Sequence, residues 1–240
     1  MKNFILIPAR LDSSRLHQKM LLKETGKPLI QHTYENAKKV KGVDGVYVVT
    51  PDKVIKNVCH NNNLDCIYLD KHETTCGTHA CLIAAVTKLE PANIVNIQGD
   101  SPDVDVCAIN YMFRYMFFNH SMCSLYYSSK NKEKAYTTSR VKMVTNENDD
   151  IMYYSRLPVP YGTDEWKIHV GAYGFPNRIA SNLFLLYDLP KKPHNKEEDL
   201  EQLLWLERGY KSHAIKCRES YSIDTREDYE LFKRDYFSKQ

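Results

Sequence analysis

Residues 4–7 form a short apolar run that predicts a buried strand. Residues 29–40 carry apolar side chains at helical spacing behind Pro28, a residue favoured in a helix's first turn. The stretch G-V-Y-V-V-T at 45–50 is a β-branched strand, 53–61 a helix, 66–69 a third strand, 78–89 a helix and 94–97 a fourth strand. Strands alternating with helices imply crossover units, a mostly parallel sheet and right-handed connections.

Beyond Asp100 the alternation changes. Residues 105–118 predict a helix with a Met, Tyr and Phe stripe suited to core packing. Residues 122–127, 141–145 and 151–154 predict strands, and the polar turn at 146–150 lets the last two pair as a hairpin. Helices follow at 177–187 and 196–207, then a strand at 213–216. A final helix runs from Thr225, with Asp224 or Thr225 at its start. The expectation is one α/β domain over 1–240: a mostly parallel, Rossmann-like sheet flanked by helices. Roughly 120–175 would contribute an antiparallel extension.

Composition narrows the function. The 240 residues carry a formal net charge of only +3, which excludes a general nucleic-acid binder. No apolar stretch is long enough for a membrane span, and the amino terminus shows no signal-peptide pattern. Seven scattered cysteines without a C-x-x-C fit a reducing compartment. A cytoplasmic protein is therefore expected. Cys76, His79 and Cys81 lie close together, but their spacing matches no standard zinc motif.

Three segments carry candidate chemistry. The first strand empties into Pro8-Ala9-Arg10-Leu11-Asp12-Ser13-Ser14-Arg15-Leu16-His17-Gln18-Lys19. Three cations at the carboxyl end of a buried strand suit a polyanion, because ligands of open α/β sheets bind there. No glycine-rich phosphate motif is present, so side chains must supply the charge, and arginine can grip phosphate in a bidentate way. The fourth strand ends in Gln98-Gly99-Asp100-Ser101-Pro102, where Asp100 is either a Mg²⁺ ligand or a turn cap. In Tyr221-Ser222-Ile223-Asp224-Thr225, Asp224 is either a second metal ligand or a helix cap.

Taken in order, these segments resemble one family. The set I-P-A-R-x-x-S-x-R-x-x-x-K at 7–19, T-G-K-P-L-I at 25–30, N-I-Q-G-D at 96–100, Y-Y-S-R at 153–156, H-V-G-A-Y-G-F at 169–175, L-E-Q-L at 200–203 and I-D-T at 223–225 is similar to the sugar-acid cytidylyltransferases, particularly those acting on 3-deoxy-manno-octulosonate (Kdo). The resemblance implies a cytoplasmic homodimer that uses CTP and Mg²⁺ to make a CMP-sugar, releasing pyrophosphate, for surface carbohydrate such as lipopolysaccharide. It implies that Arg10, Ser13 and Lys19 hold the triphosphate and that Pro8, Ala9, Cys76, Gly77 and Thr78 border the cytosine. Asp100 and Asp224 would bind magnesium, and Arg10, Lys19, Asp100 and Asp224 would carry the catalysis. Arg15, Gln98, Arg156, His169, Tyr173, Glu201 and Gln202 would meet the sugar. The smaller antiparallel part would serve dimerisation and the sugar pocket.

Two departures stand out. Where the family carries Gly-Thr-Glu-Arg, this chain has Gly77-Thr78-His79-Ala80; where it carries Gln-Gly-Asp-Glu-Pro, Ser101 precedes Pro102. One cation and two carboxylates are missing near the expected site, so within the Kdo-like sugars the acceptor is expected to differ from ordinary Kdo: an amino or deoxy variant, or a sugar without the full eight-carbon acid. The alternatives are a nucleotidyltransferase for another sugar or sugar phosphate, and an inactive nucleotide-binding paralogue.

Overall fold

The computed structural model describes residues 1–12, 15–69, 74–190 and 193–239. Ser13 lies outside them. β1 (Lys2–Pro8), β2 (Gly45–Thr50), β3 (Cys66–Tyr68) and β4 (Ala92–Ile97) alternate with α1 (Leu29–Ala37), α2 (Lys53–Asn61) and α3 (Gly77–Lys88). α4 (Val106–Asn119) leads into β5 (Met122–Ser129), followed by the short α5 (Lys132–Tyr136). β6 (Lys142–Thr145), β7 (Ile151–Ser155) and β8 (Trp166–Phe175) precede α6 (Asn177–Leu183), α7 (Pro193–Glu198), α8 (Glu201–Leu206), β9 (Ser212–Lys216) and α9 (Arg226–Phe237).

The strands form one sheet in the order β3-β2-β1-β4-β8-β5-β9. β1 pairs in parallel with both β2 and β4, and β5 with β9. β8 alone runs backwards in that order, antiparallel to β4 and β5. Side chains alternate across β1: Ile5 and Ile7 join Ile30, Ile55 and Met112 on one face. Phe4 and Leu6 join Leu82, Leu183 and Trp205 on the other. Each face is covered by helices, which is why the strands read as continuous apolar runs.

The structure corrects three expectations. β8 was not predicted as a strand, yet it completes the sheet, and β5 lies in that sheet as well. Within 120–175, only the β6–β7 pair stands off the main strand order, as the predicted hairpin. The helix expected over 196–207 is two helices, because Asp199 adopts a left-handed backbone with φ 49° between them. The helix expected over 177–187 becomes 3-10 from Phe184 onward.

Candidate active site

Close backbone approach builds the site at the carboxyl ends of β1 and β4. A Cβ on Gly99 would lie 2.7 Å from the Pro8 carbonyl oxygen, so only glycine lets the two strand ends meet. The Thr33 hydroxyl donates to the Gly99 carbonyl at 2.7 Å and fixes the turn from α1. The Ile223 amide donates to the Asp100 carbonyl at 3.0 Å, bringing the segment before α9 alongside. Thr225 caps α9 in a reciprocal capping box with Asp228. That leaves the Asp224 carboxylate free of capping duty.

Lys19 gathers these pieces. Its ammonium donates to Asp100 Oδ2 at 2.5 Å and to Asp224 Oδ1 at 3.4 Å. Arg15 reaches Asp224 Oδ1 at 2.8 Å from a more exposed position. Lys19 is only 7% exposed, so its charge needs those carboxylates. Arg10 turns the other way and donates to the Thr74 hydroxyl at 3.2 Å. Pro8 lies against Gly77: a Cβ there would be 3.0 Å from Pro8 Cβ. The strand end carrying Pro8 and Ala9 and the first turn of α3 thus face each other.

Asp100 and Asp224 border a cavity of about 970 Å³ that extends to β8 and α8. Gln98, His169, Tyr173, Glu201, Gln202 and Arg156 all line it, whereas Arg15, also expected at the sugar, is not among its lining residues and pairs with Asp224. Gly171 is required beside Gln98, since a Cβ would come within 2.8 Å of Gln98 Cγ. Gln202 Nε2 donates to the Tyr173 hydroxyl at 2.6 Å. Arg156 is heavily engaged: its guanidinium donates to the carbonyls of Glu198, Thr138 and Asp199 at 2.8, 3.2 and 3.0 Å. It braces the cavity wall.

Glu201 sits at the centre of a polar knot. Its carboxylate accepts from the Thr78 hydroxyl at 2.8 Å, the Cys76 thiol at 3.2 Å and the Tyr187 hydroxyl at 3.4 Å. Asn96 Nδ2 in turn donates to the Thr78 hydroxyl at 2.9 Å. No cation pairs with Glu201 among the described residues, and burial pushes its pKa up. His79, one of the departures, stacks on Tyr187 with ring centroids 4.7 Å apart. Its Nδ1 accepts from the Thr75 amide at 3.2 Å, and burial lowers its pKa. Ala80 packs into the core. An aromatic stack therefore stands where the resemblance implies charge.

His169 lies between Tyr154 and Tyr173, 5.4 and 5.2 Å from their ring centroids. The Ser124 hydroxyl donates to the Ala172 carbonyl at 3.0 Å, so His169 Nε2–H donates to Ser124 Oγ at 2.9 Å. Nδ1 is left as an acceptor. Burial holds the imidazole pKa down at about 3, against an ordinary 6.5. The unfolded chain takes up a proton below about pH 6.5 that the folded protein refuses, so stability falls as pH drops from there toward 3. His169→Gln should flatten that part of the curve, measured by urea unfolding at about pH 4.5 and about pH 7.5. An unchanged acid slope would exonerate His169.

One feature of the wall had no sequence signal. Lys142 is fully buried, and its ammonium donates to the carbonyls of Thr137 at 3.2 Å, Arg140 at 2.6 Å and Arg156. A lysine on a strand ordinarily reads as solvent-facing.

The cytidylyltransferase family profile matches residues 4–231. A 3-deoxy-manno-octulosonate cytidylyltransferase 2 of Hydrogenovibrio crunogenus is 33% identical over 97% of both chains. An 8-amino-3,8-dideoxy-manno-octulosonate cytidylyltransferase of Shewanella frigidimarina is 34% identical over 95% of this chain and 96% of its own. A solved CMP:2-keto-3-deoxy-manno-octonic acid synthetase complexed with CTP superposes over 100% of both chains, with a TM-score of 0.91 at 28% identity. The chain belongs to the cytidylyltransferase family and is a nucleotidyltransferase.

Proposed function

We propose that the protein transfers CMP from CTP to the anomeric hydroxyl of Kdo or a Kdo-like sugar acid, releasing pyrophosphate and forming a CMP-sugar. The observation that carries this reading is Lys19 held between Asp100 and Asp224, two carboxylates that line the cavity. The similarity to a CTP-bound synthetase and to Kdo and 8-amino-Kdo enzymes supports it.

Lys19 and Arg10 would neutralise charge developing on the departing pyrophosphate. The Pro8–Gly77 contact would position the base, and Ser13 and Arg15 would assist at the phosphates and the sugar. Gln98, His169 Nδ1, Tyr173, Glu201 and Gln202 would orient the acceptor hydroxyls. With its low pKa, His169 serves as a hydrogen-bond acceptor rather than a proton acceptor. Much of the rate enhancement then comes from positioning.

The oxygen-only donor set fits magnesium, which takes one or two carboxylates and completes its shell with phosphate oxygens and water. Two carboxylates meet here, and among the described residues no group of three His, Cys, Asp or Glu side chains forms a self-sufficient metal cage. Asp100 and Asp224 would hold the ion. It would lower the pKa of the acceptor hydroxyl and offset charge at the α-phosphate.

We place the enzyme in the cytoplasm, in surface-carbohydrate synthesis such as that of lipopolysaccharide, as a homodimer. All described cysteines are free thiols, and among the described residues no helix is long and apolar enough to cross a membrane. The exposed Met152, Leu157 and Tyr161 offer an apolar surface for a second copy.

Pyrophosphate release should be measured with each of the four nucleoside triphosphates, Mg²⁺, and a panel of Kdo, 8-amino-8-deoxy-Kdo and uncharged sugars. Turnover with CTP and a Kdo-type acid is expected. CTP binding without pyrophosphate from any sugar would replace this reading with a nucleotide-binding paralogue. Equal use of UTP and a sugar phosphate would replace it with another nucleotidyltransferase.

A further inference from the structure

A sugar acid that enters this cavity brings a negative charge with it. Asp100, Glu201 and Asp224 already line the wall, so a further carboxylate gives up water among groups of its own sign unless a cation receives it. Among the described residues, four basic side chains line the cavity: Lys134, Arg140, Arg156 and His169. Three of them have no charge to offer a ligand. Lys134 pairs with Glu219 at 2.5 Å. The Arg156 guanidinium is divided among three main-chain carbonyls. His169 is neutral, with its pKa held down at about 3 by burial.

Arg140 is the fourth, and it is only half-buried. Among the described residues its side chain forms no ion pair and one hydrogen bond, to the Tyr127 hydroxyl, long at 3.4 Å. Glu219 also approaches Tyr127, but Lys134 holds its carboxylate. A guanidinium carries five N–H donors in a planar fork, so most of this one's capacity is unused within the protein. Its main chain is nevertheless pinned. The Arg140 amide donates to the Thr137 carbonyl at 3.1 Å, and the Arg140 carbonyl accepts from the Lys142 ammonium at 2.6 Å.

We infer that Arg140 receives the carboxylate of the acceptor sugar acid, in the bidentate geometry that a planar guanidinium offers. The inference rests on the proposed sugar-acid reading and adds to it a binding residue that lies outside every motif of the sequence. Arg140 then reads the charge of the acceptor, and a neutral sugar of the same shape gains nothing from it.

The test compares the wild-type enzyme with Arg140→Met and Arg140→Lys on Kdo and on its carboxamide, which keeps the shape and loses the charge. Each sugar is read as a substrate or, where turnover is slow, as a competitive inhibitor. Wild-type turnover of a Kdo-type acid checks the underlying reading separately; if no sugar acid is used, that reading fails first and this one falls with it. Given turnover, Arg140→Met should raise KM for the acid roughly 10- to 100-fold, the scale of one charge-assisted hydrogen bond, and leave KM for CTP unchanged. On the carboxamide the same variant should match wild type. Arg140→Lys, which keeps the charge without the fork, should fall between. A raised KM for CTP with an unchanged preference for acid over amide would assign the guanidinium to the triphosphate and overturn the inference. Equal losses on both sugars would make Arg140 a structural residue and overturn it as well, as would a wild-type KM for the acid in Arg140→Met.

Discussion

Asp100→Asn should leave the protein folded and reduce pyrophosphate release roughly 10²- to 10³-fold, the scale of losing one well-placed electrostatic group. The side chain keeps its shape, and the Asp100 carbonyl still receives the Ile223 amide. What disappears is the negative charge 2.5 Å from the Lys19 ammonium. Lys19 retains only the longer contact to Asp224, at 3.4 Å. Steady-state turnover across a Mg²⁺ titration, with circular dichroism as the check on folding, reads the effect. CTP binding measured by calorimetry without metal should persist. Turnover within a few-fold of wild type would remove Asp100 from the reaction, and Asp224→Asn supplies a second variant on the same ion site.

The second large effect is on stability. Lys142→Met keeps the length and the apolar stem but deprives three carbonyls of their donor. At about 1–3 kcal/mol for each buried unpaired group, the loss should exceed about 3 kcal/mol. For a chain of this size that lowers Tm by roughly 6–12 °C. Denaturant unfolding and thermal melts measure it. A loss below about 1 kcal/mol would mean that water satisfies those carbonyls without the lysine.

The β1–α3 half was legible because its strands are covered on both faces and its helices alternate with them, so each element announces itself through hydrophobic period alone. β8 was less legible although Trp166, Ile168, Val170 and Ala172 alternate along it. Gly171 and Gly174 weaken a strand signal, and their purpose is tertiary: Cβ atoms there would collide with Gln98 and with Cys123 Sγ. The break between α7 and α8 was hidden because a left-handed aspartate leaves little trace in composition.

The site divides similarly. Lys19, Asp100 and Asp224 were recognisable as charged residues in the loop after β1, just beyond β4 and just before α9, and the fold brings them together across more than two hundred residues of chain. Cys76 and Thr78, expected beside the base, also hold Glu201 through their side chains, a role that no sequence motif signals. Lys142 gave no warning. A polar residue on a helix or strand reads as solvated until the packing of other elements removes its water.

The cavity wall around 137–140 and 198–199 is held through main-chain carbonyls, by Lys142 from within and Arg156 from beside it. Carbonyls are common to all residues, so the side chains that this wall presents to a substrate are free to be exchanged without loosening it. Substrate preference can therefore drift in such an enzyme while its scaffold stays put, with the two basic residues as the fixed points around which new acceptors are tried.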